Sequence, residues 1–225
     1  MRLIDPTGMH WLEVKDYEYA MSLSNSMADK ISSNLIELDN LFNNLHNTSS
    51  SESVAEIESK MAGLCADINN LASGITELEQ MCYAEQDFTY DFINGTNGQT
   101  KIRGDGVIVM SIGKDGNKDA LGIHESSHGY DMLIGGGYPK TVTALYDTEI
   151  KAYGRQYSFS SLSMPTSDGG RIKQLGDINR TYISGIKDNN GIYTYARQAY
   201  HMSNNTTPWN NNAHRKLLRQ LRREL

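Results

Sequence analysis

The sequence predicts an α+β fold from three patterns that follow one another along the chain. Apolar residues recur at helical spacing through residues 17–86, two β-rich runs follow, and a helix carrying two histidines comes next. We therefore expect an N-terminal antiparallel α-helical hairpin over residues 17–86. It is followed by a domain with a short β-sheet over residues 87–225, and residues 1–16 form a leader or junction.

The two helices of the hairpin are predicted from their apolar positions. The first helix repeats apolar residues in steps of three and four along one face: Ile31, Leu35, Leu38, Leu41 with Phe42, and Leu45. A polar break over residues 46–53 follows, and Ser53 with Glu56 has the signature of a capping box. The second helix carries a nearly pure heptad seam: Val54, Ile57, Met61, Leu64, Ile68, Leu71, Ile75, Leu78 and Met81.

Strand patterns begin at about residue 87. The run DFTYDFI, residues 87–93, has β-propensity, and NGTNG after it marks a turn. The apolar run GVIVMSIG, residues 106–113, predicts a buried or half-buried strand. This strand could be an edge along which an extended peptide adds, or a plain core strand.

Helical patterns return after residue 117. Residues 118–134 predict a helix that ends at the three glycines 135–137, and residues 140–160 predict a second one. A short helical piece is expected over residues 177–185. The final AHRKLLRQLRREL predicts a basic amphipathic helix, which could touch a membrane or an acidic partner or lie on its own domain.

Charge and composition argue against several classes of protein. The net charge of -6 argues against general nucleic-acid binding, and no apolar run is long enough to span a membrane. Cys65 and Cys82 lie in one helix pattern, about 26 Å apart if the helix is continuous, so we expect free thiols and no disulfide. The N-terminus has no secretory signal pattern, which indicates the cytosol unless the chain is part of an exported protein.

The segment LGIHESSHGYDMLIGGG, residues 121–137, carries the main functional signal. His124 and His128 are four residues apart, so on a helix they share a face and could coordinate one Zn²⁺. Glu125 beside them could take a proton from a metal-activated water, which is the logic of His-Glu-x-x-His metallopeptidases. Two other interpretations stay open: a surface helix with two solvated histidines, and a structural zinc site without catalysis.

A catalytic zinc site needs a third protein ligand. We favour Glu149, which comes 21 residues after His128 on the next predicted helix, over Asp131 and Asp147. Asp131 is assigned to a supporting role, accepting the second N–H of a ligating histidine. Candidates for a hydrogen bond to a substrate oxyanion are Tyr153, Tyr157 and His201.

The motif region resembles the gluzincin class of zinc metallopeptidases. The similarity lies in HESSHGYD, which has His-Glu-x-x-His and an aromatic–Asp pair, and in the later TEIKAY. It implies a zincin-like domain in which His124, His128 and Glu149 bind Zn²⁺ and Glu125 is the catalytic base. The match covers about 30 residues, and Ser126 with Ser127 departs from the apolar residues common at those positions.

The N-terminus resembles a different family. Asp5, Pro6, Gly8 and Met9 in RLIDPTGMHWL match the junction at which the repeat core of a bacterial Rhs (YD-repeat) protein ends and a C-terminal toxin domain begins. The segment from GIHESSHGYD to DINRTYISGIKDNNG also looks like metallopeptidase-type toxin tips of such proteins. This resemblance implies a parent Rhs core, delivery into a competing cell, often by a type VI secretion system, and a cognate immunity protein.

Together these observations give one leading expectation and two alternatives. The leading one is a zinc metallopeptidase toxin used in interbacterial competition, which acts on a protein in the cytoplasm of the target cell. The first alternative is a non-catalytic binding module in which the hairpin carries the function and zinc only braces the fold. The second is a zinc amidase that acts on peptidoglycan.

Overall fold

A computed structural model describes residues 11–203, with residues 49 and 189 and the Glu52 side chain left out. Two long helices come first, α1 (Val14–His46) and α2 (Ser51–Cys82). The strands β1 (Phe88–Ile93), β2 (Gln99–Ile102) and β3 (Ile108–Gly113) follow, and then the helices α3 (Lys118–Gly135), α4 (Val142–Phe159), α5 (Arg180–Ser184) and α6 (Thr194–Ser203). The α+β class predicted from the sequence is therefore confirmed.

The described chain forms two compact units. The first contains residues 11–138 and 151–164, and the second contains residues 139–150 and 165–203, so the continuous helix α4 contributes to both. The hairpin belongs to the first unit, together with the sheet and α3. The division of the chain into a hairpin domain and a domain over 87–225 stays a prediction.

Helices α1 and α2 pack side by side in opposite directions. Met27 packs on Gly74, and farther from the sheet Glu37 interacts with Lys60, so residue numbers fall along one helix as they rise along the other. Cys65 and Cys82 are free thiols, as expected.

Two details of the predicted hairpin are wrong. Helix α2 begins at Ser51 and not after Ser53, because Ser50 already has the extended backbone of an N-cap and its carbonyl accepts the first helical bond from Val54. Leu35 is half exposed, at 50%, whereas its neighbour Asn34 is buried. The seam of α1 is therefore shifted by one residue at this point, and a polar side chain takes the inward position.

The three strands form one mixed sheet in the order β1-β3-β2. β3 pairs in parallel with β1 and antiparallel with β2, and all six of its residues are buried. β3 is therefore the central strand of the sheet and its interpretation as an edge strand is wrong; the outer strands are β1 and β2, of which the sequence did not predict β2. Before β1, Trp11 is buried and forms a parallel bridge to Phe88, so the chain packs on the sheet three residues before α1 begins.

Helix α3 covers the sheet and has well-defined ends. The Asn117 side chain accepts a hydrogen bond from Ala120 N at the start, and at the end Gly136 takes the left-handed conformation with φ of 63° that glycine favours. The predicted stop at the glycines is confirmed. The core of the first unit is formed by residues from α1, α2, the sheet and α3, among them Leu23, Leu71, Phe88, Met110 and Ile123.

The second unit is small and rich in tyrosine. Its buried residues include Leu145, Tyr146, Ile178, Tyr182 and Ile183. The Ser184 hydroxyl donates to the Tyr146 hydroxyl over 2.9 Å, and the Arg180 guanidinium lies 4.6 Å from the centre of the Tyr146 ring. The helical piece predicted over 177–185 corresponds to α5, whereas α6 was not predicted.

Within residues 11–203, no helix is long and apolar enough to cross a membrane. The junction residues Asp5, Pro6, Gly8 and Met9 lie outside the described residues, as does the basic C-terminal segment 213–225.

Candidate metal centre

The imidazole rings of the two motif histidines lie side by side on one face of α3. His124 Nε2 and His128 Nε2 are 3.1 Å apart, as the spacing of one helical turn predicts. His124 is buried and His128 is partly buried. The interpretation of the motif as two solvated surface histidines does not fit this burial.

Helix α4 brings a carboxylate and an aromatic ring to the histidines. The Tyr153 ring packs edge-on against His124, with 4.3 Å between ring centres. Glu149 is one turn before Tyr153 on the same continuous helix, so the two side chains share a face. Glu149 is buried, with 7% of its surface exposed.

His124, His128 and Glu149 together form a group that could hold a metal ion. One ligand atom of each residue lies within 4.8 Å of the others. Two nitrogens bound tetrahedrally to zinc at about 2.0–2.1 Å are about 3.3 Å apart, close to the spacing of the two imidazole nitrogens here. Two histidines and one glutamate are also a ligand set of catalytic zinc sites that keep one position for water, so the residues fit the metal.

Glu125 is held by the edge strand β2. Thr100 Oγ1 donates to Glu125 Oε2 over 2.7 Å and is also 3.0 Å from the Glu125 backbone oxygen. Gly98 lies against the other carboxylate oxygen, because a Cβ on Gly98 would be 2.3 Å from Glu125 Oε1. The lack of a side chain at residue 98 therefore leaves room for this carboxylate.

The two serines of the motif make polar contacts on the buried side of α3. Ser126 Oγ donates to the Gly122 carbonyl and is 2.7 Å from the Tyr90 hydroxyl on β1. Ser127 Oγ donates to the Ile123 carbonyl and accepts from Arg155 Nη1 over 3.0 Å. The departure from apolar residues at these positions is thus matched by polar partners on β1 and α4.

Asp131 follows His128 by three residues on α3. Its carboxylate forms an ion pair with Lys151 of α4. Burial raises the pKa of the Asp131 carboxyl, and the hydrogen bond and charge of Lys151 oppose that effect. Asp131 is thus near the histidines and paired with the Lys151 ammonium group. Asp147, the remaining candidate ligand, is exposed and lies outside the group of three.

The three candidates for oxyanion binding have different surroundings. Tyr153 is at His124, as described above, and Tyr157 follows one turn later on α4 and is partly buried. His201 is buried on α6 in the second unit. The Tyr153 ring thus contacts a member of the metal group.

A surface cavity is lined by a residue of α3 that comes one helical turn before Glu125. It has a volume of about 390 Å³, and its lining includes Leu121, which precedes Glu125 by four residues, and Thr96, which is two residues before Gly98. The remaining lining residues are Gly116, Asn117, Ser160, Leu162 and Ser163. Leu162 is 98% exposed, so its side chain is available at the cavity to a bound molecule.

Sequence reasoning missed several residues that support this centre. Gly98, Thr100, Tyr90 and Arg155 gave no local signal, because each acts through a contact with a residue at least 25 positions away. Gly98, the last residue of NGTNG, was expected only as part of a turn.

Comparisons with known proteins give no family for this chain. It matches no protein-family model, and the searches of curated proteins and of solved structures found no match either.

Proposed function

We propose that this chain is a zinc-dependent metallopeptidase that acts as a toxin in interbacterial competition. The proposal is carried by one observation, the grouping of His124, His128 and Glu149 within 4.8 Å around a helix that also presents Glu125. A structural zinc site would usually recruit a fourth protein ligand and favour cysteine. Within the described residues, neither cysteine belongs to this group, which favours catalysis.

His124, His128 and Glu149 would hold the zinc ion through two imidazole nitrogens and one carboxylate oxygen. When bound, zinc supplies a Lewis acid that makes water acidic and polarises a carbonyl group. The histidines come from α3 and the glutamate from α4.

Glu125 would move the proton. Its carboxylate accepts a proton from the attacking water as the water oxygen bonds to the peptide carbonyl carbon, and then passes it to the leaving nitrogen as the C–N bond breaks. Thr100 donates to Oε2 of this carboxylate, and the space at Gly98 lies at Oε1. The hydrogen bond from Thr100 orients the Glu125 carboxylate.

The cavity beside Leu121 is the proposed contact for a substrate side chain. Its lining residue Leu121 comes one helical turn before Glu125, within reach of residues next to a cleaved bond. Leu121 and Leu162 supply its apolar surface, while Thr96, Asn117 and Ser163 are polar. We expect it to accept an apolar residue of an extended peptide.

The toxin role rests on the resemblance of Asp5, Pro6, Gly8 and Met9 to the Rhs junction. It includes delivery by a bacterial secretion system from a parent Rhs core, action in the target-cell cytoplasm and neutralisation by an immunity protein. A toxin that cleaves a cellular protein must be inactive or inhibited in the cell that makes it.

Proteomics of protein N-termini tests the activity. The wild type and Glu125→Gln are expressed in a bacterial host without the immunity protein, and new N-termini are compared. The wild type should generate new N-termini and stop growth, whereas Glu125→Gln should do neither while still binding zinc. Equal killing by both variants would contradict the mechanism and support the binding module, and toxicity restricted to periplasm-directed protein would support peptidoglycan hydrolysis.

A further inference from the structure

Four charged residues form a cluster where the helical hairpin meets α3 and α4. Glu77 of α2 accepts hydrogen bonds from both terminal nitrogens of Arg155 through both of its carboxylate oxygens. Lys151 lies one turn before Arg155, reaches Glu77 over 3.4 Å and also pairs with Asp131. The Arg155 and Glu77 side chains are only 4% and 15% exposed, so these charges are mostly removed from water.

This cluster includes or contacts two residues of α3 that flank His128 in the sequence, Ser127 and Asp131. Arg155 donates to Ser127, which lies between Glu125 and His128 in the motif. Asp131 follows His128 by three residues and so lies on the same side of α3. The cavity at the junction of Glu77, Arg155 and Ser127 has a volume of only about 10 Å³, so the packing between the hairpin and α3 leaves little room for solvent.

The charges in the cluster balance. Arg155 and Lys151 contribute two positive charges, and Glu77 and Asp131 contribute two negative ones. Loss of the Glu77 charge would leave one net positive charge next to a site for a dication. Charges in a partly buried, low-dielectric environment are screened weakly, so this repulsion would act on the metal.

We propose that Glu77 is a positioning residue of the metal centre, and that the hairpin thereby sets the affinity of the site for divalent cations. In this proposal the hairpin supports cation binding at the metal centre and is not a separate binding module. This inference rests on the proposed metal site, but not on peptidase activity.

Zinc affinity of the purified full chain tests the proposal, measured by competition with a chromophoric chelator and without any peptide. Glu77→Gln should bind zinc about tenfold or more weakly, within the range typical when a supporting residue of a metal site is changed. The matched control is Glu79→Gln, because Glu79 is exposed on the same helix, and its affinity should equal that of the wild type. A folded Glu77→Gln that binds zinc like the wild type would overturn the proposal.

A charge-balanced variant separates electrostatics from packing. In Glu77→Gln/Lys151→Met one positive and one negative charge are removed together, so zinc affinity should return to within about threefold of the wild type. A double variant that binds no better than Glu77→Gln alone would contradict the charge argument. If Glu77→Gln does not fold, as judged by circular dichroism, Lys151→Met decides: tighter zinc binding than in the wild type supports the proposal, and unchanged or weaker binding overturns it.

The proposed peptidase activity can fail without affecting this result. A chain that shows the expected order of zinc affinities but cleaves no protein would retain the role of Glu77 and refute only the peptidase. If the wild type cleaves protein but Glu77→Gln binds zinc with unchanged affinity, the peptidase activity is retained and only the role of Glu77 is refuted.

Discussion

The hydroxyl of Thr100 donates a hydrogen bond to the carboxylate of Glu125, with 2.7 Å between Oγ1 and Oε2. The contact joins the outer strand β2 to the helix that carries both histidines. It fixes the carboxylate that we propose as the proton acceptor, on a strand that has no apolar pattern of its own.

Replacement of Thr100 by valine should lower kcat. The methyl group of valine keeps the shape of the side chain but cannot donate to Glu125, and a hydrogen bond to a charged group contributes about 1.5–3 kcal/mol, which corresponds to a decrease of about tenfold to a hundredfold. Thr100→Ser should restore most of the activity, and neither variant should lose zinc. Normal turnover by Thr100→Val would show that this contact does not support catalysis.

An added methyl group at Gly98 should displace Glu125. Because a Cβ at this position would be 2.3 Å from Glu125 Oε1, Gly98→Ala must move either the carboxylate or the chain before β2. We expect a decrease in kcat of at least about tenfold with zinc content unchanged, since misplacement by about 1 Å is costly for catalysis. Gly63→Ala is the matched control, because a Cβ there meets nothing within 4 Å.

Leu162 should affect substrate preference but not the metal. This residue is 98% exposed, so Leu162→Ser leaves the fold intact while removing apolar surface from the cavity near Glu125. Loss of about 1 kcal/mol of apolar contact would lower kcat/KM about fivefold for peptides with an apolar residue at that site. Peptide-library profiling measures this effect, and Ile36→Ser, an exposed site on α1, is the control. An unchanged preference profile would show that the cavity does not contact the substrate.

Asp16 should make the stability of the first unit depend on pH. It is fully buried and accepts hydrogen bonds from Thr89 Oγ1 and Tyr90 N. Burial raises the pKa of its carboxyl above the ordinary value of 3.8, and these hydrogen bonds oppose the shift. Because the folded chain holds the proton more tightly than the unfolded chain, ionisation lowers the free energy of unfolding as the pH rises above 3.8 through the folded pKa.

The Asp16→Asn variant lacks this ionisation. The free energy of unfolding of the wild type minus that of Asp16→Asn should therefore decrease from acidic to neutral pH, as measured by urea unfolding at several pH values. Asp39→Asn, at an exposed position of the same helix, should show no such trend relative to the wild type. A difference that grows with pH would mean that the site favours the carboxylate.

The parts of the fold that the sequence predicted are those with long local patterns. Helices α1 to α4 and strands β1 and β3 were expected because their periodicity, glycine stops and β-rich runs are local features. Strand β2 was missed because QTKI has only one buried residue, Thr100, and becomes a strand through its pairing with β3. The register error at Leu35 has a similar cause, since a buried Asn34 breaks the apolar pattern.

The residues of the candidate site also separate into those with a local sequence pattern, which were predicted, and those without one. His124, Glu125 and His128 lie within five consecutive residues of one predicted helix, so the sequence alone shows their spacing. Glu149 was expected from its place on the next helix. Glu77 and Arg155 gave no signal, because a glutamate in a heptad helix and an arginine in an amphipathic helix are most often solvated. Their ion pair joins positions 78 residues apart, which only the tertiary structure brings together.

Zinc binding by the wild type and by Glu149→Gln tests the central claim most directly. Each purified full chain is loaded with zinc, dialysed, and analysed for metal and protein, with Asp147→Asn as the control on the same helix. We predict one zinc ion per chain for the wild type and for Asp147→Asn, and affinity at least about a hundredfold weaker for Glu149→Gln, because a ligand is lost and two histidines alone do not complete a zinc site. A wild type that retains no zinc, or a Glu149→Gln variant that binds it equally well, would contradict the proposed metal centre.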